Sequence, residues 1–379
     1  MRIVVAPDKF KGTLSALEAA RAIGTAVRIA APNAVIDICP LADGGEGTAE
    51  ILAAASGGRM HACEAHDPLG RPLSGRYAEL DDGWAAVDLA EVSGLPRLRA
   101  EERAPERAST FGTGELIRCA AQRGLRKVIL GVGGSATIDG GIGIAVALGC
   151  RFLGPAGEAL EPIAANLARI TSVVHPTSPP FDELVLASDV QNPLLGDTGA
   201  ARVYGEQKGA SAQEIARIEN GLRSLAALFA ASTSIGPLQS PLASSAGFGA
   251  GGGVALSLVS LFGARIELGA AYVCRAIGFA QRVAGSDLLI VGEGRLDSQS
   301  TEGKAPLYAA GLAAALGVPV VAVAGQIALD ARVSRAHALR DAEACSALGA
   351  TPPTRPEQAA ALLQRAAERV MRRFLGRAL

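Results

Sequence analysis

Short apolar runs rich in Val, Ile and Leu alternate with Ala-rich amphipathic stretches along this chain. Arg2–Ala6 is a β-branched run that predicts a strand. Ser15-Ala-Leu-Glu18 has the spacing of a capping box and opens an amphipathic stretch to Ala30, predicting a helix. Further strands are predicted at Val35–Cys39, Trp84–Leu89, Lys127–Val132, Glu183–Ser188, Asp287–Val291 and Pro319–Ala324. Helices are predicted over 47–55, 114–122, 212–232, 253–262, 268–282, 304–316 and 356–375. Strand–helix alternation implies parallel sheets covered by helices, an α/β protein. No internal repeat is visible.

At 379 residues the chain exceeds what one hydrophobic core usually organises, so two domains are expected. The turn-rich HDPLGRPLSGRY (66–77) and the Gly285-Ser286 pair are candidate boundaries. They divide the chain into 1–66 plus 286–379, a discontinuous domain formed by the chain ends, and 67–285, a domain inserted into it. From Ser224 to Ala264 no residue is charged, and 242–262 is long enough for a bilayer span of about 20 residues. Glycine crowds its first half, so a glycine loop leading into a buried helix is the expectation. Pro7, Asp8, Lys9 and Lys11 interrupt the N-terminal apolar run, which therefore lacks a signal-peptide core.

The glycine-rich motifs follow predicted strands. APDKFKGT (6–13), PLADGGEGT (40–48), GVGGSATIDGG (131–141), ASDVQNPLLG (187–196) and VGEGRLDSQSTEGKAP (291–306) each begin where an apolar run ends. In parallel sheets, loops at the carboxyl ends of strands bind ligands. Nothing fits G-x-x-x-x-G-K-[ST], since Gly303-Lys304 is followed by Ala305. Gly247-x-Gly249-x-x-Gly252 follows no strand, and Gly292-x-Gly294-x-x-Asp297 ends in Asp, so neither makes a dinucleotide fingerprint. Exposed backbone N–H groups in glycine turns bind anions without those signatures. Gly133, Gly134, Ser135 and Thr137 are candidates to cradle phosphate, although Gly140, Gly141 and Gly143 also suit plain helix packing.

The chain has five lysines against thirty-one arginines. Lys9, Lys11, Lys208 and Lys304 lie in short glycine-containing motifs, where a compact ammonium suits phosphoryl charge. Asp8, Asp43, Glu46, Asp139, Asp189, Glu293 and Asp297 lie in the same loops. Mg²⁺ takes one or two carboxylates plus phosphate oxygens, and Asp43 and Asp297 are candidates for it. A kinase also needs a carboxylate at the acceptor hydroxyl. Asp189 ends an apolar strand and is followed by Pro193 and Gly196, which argues against a simple helix cap.

Several classes are disfavoured. The formal charge is −1 with no basic block, so neither nucleic acid nor a polybasic membrane contact is expected. The six cysteines are dispersed without C-x-x-C, so a disulfide framework or zinc site is not expected and a reducing cytoplasm fits. The four histidines lie outside the glycine motifs and no G-x-S-x-G elbow is present.

Together APDKFKGTLSA, PLADGGEGT, GVGGSATIDGG, ASDVQNPLLG, YGEQKGA, GFGAGGG and GEGRLDSQSTEGKAP, in that order, resemble the type 1 glycerate kinase (glycerate 2-kinase) family over nearly the whole chain. The resemblance implies ATP- and Mg²⁺-dependent phosphorylation of D-glycerate to 2-phosphoglycerate. It also implies two α/β domains, one Rossmann/flavodoxin-like and one inserted, with the active site in the cleft. On this reading Asp189, Lys9, Lys11 and Asp8 are catalytic candidates. Gly133, Gly134, Ser135, Thr137, Lys208, Gly249, Gly251 and Lys304 are nucleotide-binding candidates, and Asp43 and Asp297 metal candidates. A kinase of another small hydroxy or sugar acid, or a nicotinamide-dependent hydroxy-acid reductase, are the alternatives. A homodimer is left open.

Overall fold

The computed structural model describes residues 1–231, 242–297, 304–328, 338–348, 353 and 355–377. Residues 232–241 of the charge-poor segment and 298–303 of the last glycine motif lie outside the described residues. The chain forms two compact units, Met1–Asp43 with Leu268–Leu379, and Gly44–Glu267.

In chain order, the first unit begins with β1 (Arg2–Pro7), α1 (Ala16–Ala30) and β2 (Val35–Ile38). The second unit then runs through α2 (Thr48–Ser56), β3 (Arg59–His66), β4 (Pro72–Glu79), β5 (Trp84–Asp88), α3 (Leu89–Ser93), α4 (Phe111–Gln122), β6 (Lys127–Gly131) and α5 (Ile142–Ala147). It continues with β7 (Arg151–Leu153), β8 (Ser172–Val174), β9 (Glu183–Ala187), α6 (Ala200–Tyr204), α7 (Ala212–Ala231), α8 (Val254–Phe262) and β10 (Arg265–Glu267). The chain returns to the first unit with α9 (Gly269–Ala276), α10 (Phe279–Val283), β11 (Leu288–Leu296), α11 (Ala305–Ala315), β12 (Val320–Ile327), β13 (Leu339–Ala344) and α12 (Pro356–Arg377).

The first unit's sheet is parallel throughout, in the order β13-β12-β11-β1-β2. Counted within the unit this is 2-1-3-4-5, the flavodoxin-like order, whose direction reverses between β1 and β11. Ile3, Val5, Leu288 and Ile290 pack with Ile23 and Val27 of α1 and with Leu363, Val370 and Met371 of α12. The intervening Val4, Leu289 and Val291 are buried too, and α11 packs on β1, β11 and β12. Burial on both faces explains why these strands read as unbroken apolar runs. The capping box forms as the spacing predicts: Glu18 N–H donates to Ser15 Oγ at 3.2 Å and Ser15 N–H to the Glu18 carboxylate at 2.8 Å.

The second unit's sheet is mixed, in the order β10-β9-β6-β5-β4-β3, with β5, β6, β9 and β10 parallel. Its core joins Val128, Leu130, Leu184 and Leu186 to Leu116, Ile117, Ile144 and Leu256. The expected glycine loop and buried helix in 242–262 are α8 and the turns before it. Among the described residues no helix is long and apolar enough to cross a membrane.

Four features differ from the expectation. The turn-rich 66–77 segment belongs to a β-hairpin, β3 pairing with β4 from Arg59↔Glu79 to His66↔Pro72. The compact units divide at 43/44 and 267/268, so 44–66 and 268–285 fall on the other side of the expected boundaries. The hairpin joins the second sheet, and α9 packs on α11 of the first unit. The single helix predicted over 268–282 is two helices, broken at Gly278 in the left-handed region (φ 63°). Lastly, where no disulfide framework is expected, one bond is present: α4 packs on β3, and Cys63 and Cys119 are joined across that contact. Their separation of 56 residues conceals this in the sequence.

Replacing the α1 cap, Ser15→Ala, should destabilise the first unit by about 1 kcal/mol without changing catalytic rate. Denaturant unfolding followed alongside activity checks this.

Candidate active site

In the first unit the loops after β1 and β11 leave the sheet on either side of its reversal point, where doubly wound sheets bind ligands. Asp8 N–H donates to the Gly292 carbonyl at 2.8 Å, tying the two loops together. Asp8 itself is buried. Its carboxylate accepts the Lys9 N–H at 2.6 Å, and Lys9 Nζ stands 3.8 Å away. Burial pushes the Asp8 carboxyl up to about 7, with Lys9 pulling it down and Asp43 and Glu293 adding to the rise. Lys9 Nζ also donates to Asp43 Oδ1 at 3.0 Å, and Lys304 Nζ lies 3.9 Å from the buried Glu293 carboxylate.

The structure thus forms two ion-paired groups, Asp8–Lys9–Asp43 and Glu293–Lys304, with Glu293 near enough to Asp8 to raise its carboxyl. Lys11 is exposed on the same loop, and Asp297 pairs with Arg295 at 3.0 Å. Glu293 is the member to which the sequence reading gave no role. Its position two residues beyond the apolar run, between Gly292 and Gly294, was the available signal.

The second unit builds a separate cluster at the carboxyl ends of β6 and β9. Gly131 and Ala187 are paired neighbours, so the turn at Gly133–Gly134 and the loop starting at Ser188–Asp189 emerge side by side. The Gly44–Gly45 backbone packs against both. Gly133 N–H donates to the Gly44 carbonyl at 3.2 Å, and Gly44 (φ +80°) lies against the Ala187 carbonyl. A Cβ on Gly133 would stand 2.7 Å from the Gly45 Cα, so only glycine permits this approach. Asp88, at the end of β5, holds the third loop: its buried carboxylate accepts N–H groups of Gly47 at 2.8 Å and Ala49 at 3.0 Å. Sequence reasoning missed this residue, although an acid at a strand end was visible.

The expected phosphate cradle is divided by burial. Gly133 is half-buried and Gly134 exposed, whereas Ser135 and Thr137 are buried. Among the described residues the Gly134 and Ser135 amides have no backbone acceptor, while Ala136 N–H donates to Ser93 at 2.9 Å. Below the turn, Asp139 is fully buried. It accepts from Thr110 N–H at 2.8 Å, Thr110 Oγ1 at 2.7 Å, Gly141 N–H at 3.1 Å and Gly143 N–H at 3.2 Å. Burial still raises its carboxyl, outweighing those donors.

Lys208 is only 4% exposed. Its ammonium donates to Ser135 Oγ at 2.7 Å and to the Thr137 carbonyl at 2.8 Å. Burial pushes Lys208 down to about 7, opposed by the Asp139 carboxylate. Gly249 and Gly251 back the site. Gly249 N–H donates to the Asn192 carbonyl at 2.9 Å, and a Cβ on Gly251 (φ +59°) would lie 3.0 Å from the Val132 carbonyl oxygen. Asp189 itself is half-buried, in a loop pinned by Val190 N–H donating to Ser188 Oγ at 3.2 Å.

Glycine turns, ammonium groups and carboxylates at the carboxyl ends of parallel strands define an α/β phosphotransferase. The profile of the Glycerate kinase family matches residues 3–375, and the chain belongs to that family. It is 39% identical over 329 residues to a glycerate kinase of Halalkalibacterium halodurans, covering 86% of this chain and 85% of that one. It is 36% identical over 343 residues to the glycerate 2-kinase of Escherichia coli K12, covering 89% of each. A crystal structure from Salmonella typhimurium LT2, provisionally named glycerate kinase 2, superposes with a TM-score of 0.82 at 34% identity over the full length of both chains. The resemblance and the α/β fold expected from the sequence are borne out.

The Lys208 environment has a pH signature. The unfolded chain holds the lysine proton up to about 10.5 and the folded chain only up to about 7. Between those values the unfolded state binds more protons, so stability rises with pH there. The stability of the wild type relative to Lys208→Met should therefore increase from pH 7 toward pH 10 and be flat below 7. Denaturant titrations of both proteins at pH 6, 8 and 9.5 check it.

Proposed function

We propose that this chain transfers the γ-phosphoryl group of ATP to the 2-hydroxyl of D-glycerate, releasing ADP and 2-phosphoglycerate. The observation that carries this reading is the placement of the Gly133–Gly134 turn beside the Asp189 loop at the ends of paired strands β6 and β9. A glycine turn whose Gly134 and Ser135 amides have no backbone acceptor among the described residues suits a phosphate chain. A half-buried carboxylate on the adjoining loop suits an acceptor hydroxyl. The name of the Escherichia coli relative supports the choice of the 2-position.

In this mechanism the acceptor oxygen forms the new bond to phosphorus as the bond to the ADP oxygen breaks, and the hydroxyl proton passes to Asp189. Lys9 and the exposed Lys11 offset the charge of phosphoryl or carboxylate groups, with the Asp8 carboxylate holding Lys9 in place. Lys304, at the N-terminus of α11, is a further cation for the nucleotide. Ser135 and Thr137 shape the turn from its buried side, while Gly249 and Gly251 support it and the Asn192 loop from behind.

Mg²⁺ would be held by Asp43 and Asp297, neutralising phosphate charge. Both are engaged by cations in this structure, Lys9 and Arg295. Among the described residues no group of three or more His, Cys, Asp or Glu side chains is placed to hold a metal. The donor set therefore suits an ion that arrives with the nucleotide's phosphates.

A coupled ADP-release assay with D-glycerate, with the product identified by NMR, should give 2-phosphoglycerate; 3-phosphoglycerate would overturn the regiochemistry. Asp189→Asn should lower kcat by about 10²–10⁴-fold, the contribution of a positioned general base. The same assay on folded variant protein measures it. Lys9→Met should lower kcat by about 10²-fold, as expected for losing one electrostatic donor to the transferring group.

A further inference from the structure

The short segment from Tyr204 to Lys208 touches both loops of the second unit's site. At one end, Lys208 donates to Ser135 Oγ at 2.7 Å and to the Thr137 carbonyl at 2.8 Å, the buried side of the glycine turn. At the other, the Tyr204 hydroxyl donates to Asn192 Oδ1 at 2.8 Å, three residues beyond Asp189. Asn192 is held in turn, its side-chain amide donating to the Thr198 carbonyl at 2.8 Å. The two arms meet, the Lys208 ammonium lying 6.0 Å from the centre of the Tyr204 ring.

The segment is packed closely against its surroundings. Gly205 and Gly209 bracket a single 3₁₀ turn, Glu206–Lys208. Gly209 has φ +93°, and a Cβ there would stand 2.6 Å from the Arg103 carbonyl oxygen. Lys208 is nine-tenths buried, so its ammonium is directed at the protein. Thr137 Oγ1 is buried without a partner in the same turn, which leaves the Lys208 bonds as the side-chain anchors of residues 135–137 among the described residues.

We propose that Tyr204 and Lys208 are positioning residues, a brace that holds the Gly133–Gly134 turn and the Asp189 loop in register for phosphoryl transfer. Lys208 acts through Ser135 and Thr137, and Tyr204 acts through Asn192. This rests on the reading of the glycine turn as the phosphate site. It reassigns Lys208 from a ligand contact, expected from its motif, to an internal support.

The two arms predict different kinetic signatures, which a purely structural role would not produce. Lys208→Met should raise the KM for ATP and the Kd for a non-hydrolysable ATP analogue about tenfold or more, the size of a lost charge-assisted hydrogen bond, with kcat within about threefold. Lys208→Gln, which keeps a donor, should recover part of the affinity, and it replaces Lys208→Met if that variant fails to fold. Tyr204→Phe should lower kcat with the KM for ATP unchanged. In a double-mutant cycle, Lys208→Met should cost less affinity in a Ser135→Ala background, since the two residues act through one contact; full additivity would overturn the brace. Gly134→Ala separates the two readings. If it leaves analogue affinity unchanged, the phosphate reading fails. If it weakens the analogue while Lys208→Met and Lys208→Gln bind as the wild type does, the brace alone fails.

Discussion

The second unit depends on backbone packed directly against backbone at the ends of β6 and β9. Gly133 donates to Gly44, Gly44 rests on Ala187, and Gly133 faces Gly45 with no room for a methyl group. Contacts of this kind have little side-chain area to stabilise them, and glycine adds backbone entropy to the cost of ordering. The surrounding structure compensates with buried polar anchors. Asp88 holds the Gly47–Ala49 amides, Asp139 gathers four donors around Thr110 and α5, and Lys208 clasps Ser135 and Thr137. Each anchor is an ionisable group out of water, which is tolerable only because its hydrogen bonds are met.

The first unit uses charge differently. Its cluster of Asp8, Lys9, Asp43, Glu293 and Lys304 lies at the reversal point of a parallel sheet, where loops diverge and a crevice forms. Burial and neighbouring carboxylates keep Asp8 high in its range, near 7, and Lys9 opposes them. Lys9 stands between two carboxylates, so its charge is already compensated within the protein. On the proposed mechanism, an anion bound there would exchange one set of ionic partners for another, a smaller change than desolvating an isolated ammonium.

Much of this was legible along the chain. The strands of the first unit, the Ser15–Glu18 cap and α12 follow from unbroken apolar runs and 3.6-residue periodicity, which are local signals. The hairpin of β3 and β4 looks like a boundary along the chain because its turn residues dominate and its alternation is masked by Arg59, His61, Glu64 and Arg76. The break at Gly278 was missed because one glycine does not interrupt an otherwise helical pattern. The family was recoverable because several long motifs occur in a fixed order.

The α/β class, the family, and which loops carry glycine, lysine and acid can all be read along the chain. Those properties are written in local pattern and motif order. Tertiary structure decided which members of each motif face inward. Of GVGGSATIDGG, Gly133 and Gly134 reach the surface while Ser135, Thr137 and Asp139 are enclosed, and Lys208 turns from solvent to the protein interior. It also paired Cys63 with Cys119 and placed Asp88 under α2. Burial and partnership depend on contacts between residues tens of positions apart, and no local pattern encodes them.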